Sequence, residues 1–84
     1  MKSNWFAYKD YVSYSGATFI GYIHFISIDY NIYFDYFLSE GTGGKDTPLR
    51  RTESFKEAIE FIEKFFELSV SEQREQFNAM LKEA

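Results

Sequence analysis

His24 and Asp35 are the one pair of side chains in this sequence whose types suit general acid–base work, with Lys9 or Tyr22 as candidate third members. A carboxylate beside an imidazole orients the ring and favours its protonated form. That is half of a general-base arrangement, and the other half is missing. The chain has no cysteine, and no serine stands in the glycine-flanked turn that presents a hydrolase nucleophile. A cross-strand pair that merely satisfies both groups contributes about 0.2–1 kcal/mol and needs no chemistry. Glu57, Glu60, Glu63 and Glu67 recur at helical spacing and read as a solvated helix face. Gly44 and Lys45 could close a phosphate-binding loop, but that pattern needs glycine where Ser39 stands and Ser or Thr where Asp46 stands. A single histidine and no thiolate cannot build the common zinc sites, and the acidic residues lack EF-hand spacing. The expectation is a protein without enzymatic activity, cofactor or metal.

Residues 17–38 would hold His24 and Asp35 in place. This stretch is almost unbroken β-branched and aromatic sequence, suited to a pleated, half-buried surface. Asp29 and Tyr30 make a two-residue loop, so the stretch reads as two antiparallel strands. In that register Phe25 faces Phe34, Ile23 faces Tyr36, His24 faces Asp35 and Tyr22 faces Phe37. Side chains alternate between faces along a strand. One face then carries Phe19, Ile23, Phe25, Ile32, Phe34, Tyr36 and Leu38, and is expected to be core. The other carries Ile20, Tyr22, His24, Ile26, Tyr33, Asp35 and Phe37, which is too aromatic for an ordinary wet surface.

Before this hairpin, residues 4–14 alternate weakly and end at Ser15 and Gly16, a turn signal. Read as one strand, they put Phe6, Tyr8, Val12 and Tyr14 on the core face and Trp5, Lys9 and Tyr11 on the other. Asp10 then points awkwardly coreward. After the hairpin, residues 40–47 read as a flexible glycine-rich loop, and residues 48–53 as a short edge strand holding Arg50 and Arg51. Those arginines could guard the edge by charge or grip a phosphate or a partner's acidic patch.

Ser54 and Glu57 read as a capping box opening a helix over residues 54–68, with an apolar stripe that must cover the sheet. Ser69 and Glu72 open a second helix through about Glu83. It is poorer in apolar residues and is expected to dock. The alternative is partial detachment, which would offer Phe77, Met80 and Leu81 to a partner. The whole, residues 1–84, is then one α+β domain. Residues 1–53 give an antiparallel sheet of three to four strands, and residues 54–84 give two helices packed on one of its faces.

The net charge of −4 works against nonspecific attraction to nucleic acid or anionic membrane. The first residues lack the apolar run of a signal peptide, and Gly21, His24, Asp29, Asn31 and Asp35 interrupt the long apolar hairpin. A soluble, cytoplasmic protein is expected. Thirteen of the eighteen aromatic residues precede Glu40, more than a core of this size needs. Large exposed apolar patches mark interaction surfaces, and Trp and Tyr anchor them. The candidate partner-binding residues are therefore Trp5, Tyr11, Tyr22, His24, Tyr33, Asp35 and Phe37, with Arg50 and Arg51 as secondary candidates. The occupant would be a protein partner, a second copy or, if the sheet curls, the chain's own segments.

Two resemblances bear on that partner. Arg51, Thr52, Glu53, Ser54, Phe55, Lys56, Glu57 and Ala58 look like the strand-to-helix junction of the arm-type DNA-binding domains of tyrosine recombinases. That implies DNA binding through the sheet, although the strands of those domains are basic and these are acidic and aromatic. The full-length layout, a small acidic chain of strands followed by two helices, is similar to small phage-encoded inhibitors such as some anti-CRISPR proteins. That resemblance implies a protein that blocks a host defence complex in the host cytoplasm. It carries no site residues over. The expected function is protein binding, with nucleic-acid binding or a structural homodimer as the alternatives.

Overall fold

The computed structural model describes residues 3–83. Its elements are β1 (Trp5–Ala7), β2 (Tyr11–Ser15), β3 (Ile20–Ile28), β4 (Asn31–Ser39), β5 (Arg50–Thr52), α1 (Phe55–Glu67) and α2 (Val70–Leu81). The strands form one antiparallel sheet in chain order, with both helices following it, so the α+β class holds. The sheet has five strands rather than three or four.

The extra strand comes from residues 4–14, which fold back on themselves. The Tyr8 amide donates to the Tyr11 carbonyl (2.9 Å), closing a turn that sets Trp5 against Tyr14 and Ala7 against Val12. This reversal changes the faces expected for a single strand. Trp5 lies on the helix side, edge-on to Tyr14 at 5.3 Å, and its indole N–H donates to Glu63 of α1 (2.8 Å). Phe6 and Tyr8, expected in the core, are half exposed. Asp10 falls in the turn, where its carbonyl accepts from the Phe25 amide, so no carboxylate has to be buried.

The β3–β4 hairpin has the register that its two-residue loop dictates, from Ile28 opposite Asn31 to Ile20 opposite Ser39. Asp29 and Tyr30 both have positive φ (49° and 67°), the pattern of the type I′ turn whose twist matches the strands.

Ala58, Ile59 and Ile62 of α1 pack on Val12, Tyr14, Ile23 and Tyr36. Gly21 makes that close approach available, because a Cβ there would lie 2.7 Å from Ile62 Cγ2. A second cluster joins Phe19, Leu38 and Phe65 to Phe77 and Met80 of α2. The second helix is thus docked, with Phe77 fully buried, and Phe77 and Met80 are not offered to a partner. Among the described residues, Arg74 of α2 pairs with Glu40 (2.8 Å), and Glu83, two residues past its end, pairs with Arg50 (2.9 Å), which ties the helix to the sheet region.

The caps differ from one another. Ser69 and Glu72 form the full reciprocal box at α2. At α1 Ser54 accepts from the Glu57 amide, but the Glu57 carboxylate accepts from the Thr52 hydroxyl (2.7 Å) instead of reaching back to Ser54. Thr52 Oγ1 in turn accepts from the Ser54 amide (3.0 Å), so the end of β5 does the work expected of Glu57.

The expected core face is only partly covered. Helix α1 begins at Phe55, and the hairpin tip projects past it, leaving Phe25 and Ile32 exposed and Phe34 half-buried. Among the described residues no helix is long and apolar enough to cross a membrane.

Candidate binding groove on the open sheet face

Antiparallel register lines up the side chains of the face that the helices leave open. Tyr11 lies opposite His24, His24 opposite Asp35 and Asp35 opposite Arg51, making one row across four strands. Beside it runs a second row, Ser13, Tyr22 and Phe37. Their rings meet. Tyr8 stacks on Tyr11 (centroids 4.5 Å apart), Tyr11 on His24 (5.3 Å), and Tyr22 on Phe37 (5.1 Å), while His24 and Phe37 lie 5.6 Å apart at a tilt. Such pairs contribute about 0.5–1.5 kcal/mol each beyond their burial, so the surface is ordered before anything binds it.

The loop after β4 supplies a wall. Gly41 and Gly43 take positive φ (92° and 80°), conformations that suit glycine, and the Gly44 amide donates to the Gly41 carbonyl. Composition marks residues 40–47 as a free connection, yet they are tied back to the sheet. The Glu40 amide donates to the Lys45 carbonyl (2.9 Å), and the Thr47 amide to the Leu38 carbonyl (2.9 Å). The buried Thr47 hydroxyl also accepts from the Leu38 amide (2.9 Å). Asp46 pairs with Ser39 across an isolated antiparallel bridge, which brings it to the edge of the open face.

Floor and wall enclose a hollow of about 570 Å³, lined by Tyr11, Tyr22, His24, Phe37, Ser39, the loop glycines and Asp46. A second hollow of about 380 Å³ shares His24, Phe37 and Asp46 with it and continues to Ile26, Asp35, Thr47 and Leu49. Together they make one groove, aromatic on its floor and acidic at its rim.

Asp35 does not serve His24. It is 5% exposed, and Arg51 grips it through both oxygens, Nε to Oδ1 at 2.6 Å and Nη2 to Oδ2 at 2.8 Å. The Arg51 hydrogen bonds lower its pKa from the ordinary carboxylate value, against the opposing effect of burial, with a smaller pull from His24. His24 is instead a ring among rings, which removes the half-formed acid–base arrangement. Burial raises the pKa of Tyr22, with Tyr11 and Asp46 adding to it, and keeps its hydroxyl neutral. No three histidine, aspartate or glutamate side chains gather as metal ligands among the described residues. The groove offers ring faces, hydroxyls and a carboxylate, which is equipment for holding a ligand.

Of the residues proposed from sequence, Tyr11, Tyr22, His24 and Phe37 come together in the groove floor. Asp35 lines its far end, while Tyr33 lines neither hollow and is covered by the Arg51 guanidinium at 5.5 Å. Trp5 is on the opposite side of the sheet. Arg50 also points away from the groove, over Phe61 and paired with Glu83. Asp46 lines the site and Tyr8 stacks on its floor residue Tyr11, and both escape sequence reasoning, because Tyr8 depends on a turn marked by Asp10 alone and Asp46 on a loop that looks unattached. A second surface, the apolar dish of about 370 Å³ formed by Phe25, Ile32, Phe34 and Phe55, lies on the expected core face where the helices leave it uncovered.

Neither a protein family, nor a curated protein, nor a solved structure matches this chain.

Proposed function

We propose that this chain is a non-catalytic module that binds a protein partner through the groove on its open sheet face. The observation that carries the reading is the stacked floor of Tyr11, Tyr22, His24 and Phe37, walled by a hydrogen-bonded loop and left uncovered by either helix. Rings that are already ordered lose little conformational freedom on binding, and aromatic residues with polar tips are the usual anchors of interfaces. Arg50 and Arg51 are each held by a carboxylate and a ring of the same chain, and Asp46 stands at the groove rim. This arrangement disfavours a phosphate backbone and favours protein over nucleic acid. Blocking of a host defence complex in the host cytoplasm is the form of this reading that the chain's layout suggests.

Affinity capture with the wild-type chain and with Tyr22→Ser/Phe37→Ser tests it, with circular dichroism confirming that the variant is folded. A protein retained by the wild type and lost from the variant supports the reading. Equal retention by both assigns binding to another surface. A variant that changes only the chain's own mass in solution makes the face a dimer contact.

A further inference from the structure

All three arginines of this chain are held in the same way. Arg50 lies over Phe61 (5.1 Å) with Glu83 as its counter-ion (2.9 Å). Arg51 lies over Tyr33 (5.5 Å) with Asp35 (2.6 Å), and Arg74 over Phe19 (4.8 Å) with Glu40 (2.8 Å). Each seat is an aromatic face beside a carboxylate. The groove repeats that combination, with Tyr22, His24 and Phe37 as the floor and Asp46 at the rim. Among the described residues no lysine or arginine lines the larger hollow, and the Asp46 carboxylate has no hydrogen bond or ion pair.

We infer that the groove is a seat for an arginine side chain of the partner, its guanidinium stacked on the Tyr22 and Phe37 floor and paired with Asp46. This rests on the protein-binding reading and names the chemistry of the contact. A guanidinium is planar and weakly hydrated, so it stacks on rings and pairs with a carboxylate at once, where an ammonium acts as a compact, strongly hydrated point charge. The chain's net charge of −4 adds attraction towards a basic segment. Arg51 at the far end of the groove does not cancel it, since both its bonds go to Asp35.

The test is an NMR titration of the full chain with a capped pentapeptide that has one arginine between two pairs of glycines. Its twin carries citrulline, which keeps the shape and loses the charge. The arginine peptide should move the ring signals of Tyr22, His24 and Phe37 and the amides of residues 41–46, saturably. The citrulline peptide should bind about fivefold more weakly, the size expected for one exposed cation–ring and ion-pair contact. Asp46→Asn should weaken the arginine peptide about threefold and leave the citrulline peptide unchanged. Equal binding of the two peptides, indifference to Asp46→Asn, shifts centred outside the groove, or no shift at all would each overturn the proposal. If the peptide fails while partner capture still depends on Tyr22 and Phe37, only the arginine assignment falls. If the peptide binds but no partner depends on those rings, the protein-binding reading falls instead.

Discussion

Asp35 and Arg51 show how a single contact decides the character of a site. Sequence places Asp35 opposite His24, and the backbone register agrees, yet the carboxylate turns to the guanidinium on its other side. The competing strand was legible but its register was not, so histidine looked like the natural partner. Because Asp35 has a lowered pKa when folded, its contribution to stability is complete above the ordinary carboxylate range. It fades as pH falls through the lower folded value, so the β4–β5 edge should loosen in acid, below about pH 4. In Arg51→Met the hydrogen bonds disappear while the burial stays. The Asp35 pKa should then rise, which a carboxyl-carbon NMR titration reads directly; an unchanged value would mean that Arg51 does not set it.

Among the elements, the two hairpins contrast in how visible they are. Residues 17–38 carry both a long β-branched and aromatic run and an interruption whose length fixes the register, so every pairing of β3 with β4 could be read in advance. Residues 4–14 contain no glycine, proline or asparagine at their reversal, and among Tyr8, Lys9 and Asp10 only the aspartate favours a turn. The misplaced Asp10 was the one physical sign that a straight strand was wrong there. The apolar stripe of α1 and the serine caps of both helices were plain, whereas the exchange of Thr52 for Ser54 as the partner of the Glu57 carboxylate depends on how the end of β5 runs into α1.

The β3–β4 turn carries its own prediction. Tyr30 is fully exposed and holds a left-handed backbone that a bulky residue adopts at a cost. Tyr30→Gly should therefore stabilise the fold by about 0.5–1 kcal/mol, seen as a higher denaturant midpoint with an unchanged slope. A lower midpoint would show that the Tyr30 side chain makes contacts that outweigh the strain.

At the scale of the whole molecule, one sheet divides the chain's aromatic surplus between two uses. The side facing α1 and α2 takes Phe19, Ile23, Tyr36 and Leu38 into two joined clusters, with Trp5 bridging to Glu63 at their margin. The other side keeps its rings half-buried beside a loop fixed by Thr47. The existence of that aromatic face was readable from strand alternation alone. Its concave shape was not, because the shape comes from backbone hydrogen bonds between the loop and β4 that no side-chain pattern announces. The hairpin tip adds an apolar dish around Phe25 and Ile32 that α1 reaches only with its first residue, Phe55.

The most direct test of the central claim is site-specific photo-crosslinking in cells that naturally make the protein. A benzophenone amino acid replaces Tyr22 in the groove floor in one sample and Lys64 on the solvent side of α1 in another. Binding through the groove predicts a discrete heteromeric adduct from position 22 and none from position 64. An adduct from position 64 alone, or from position 22 only to a second copy of the chain, would contradict it.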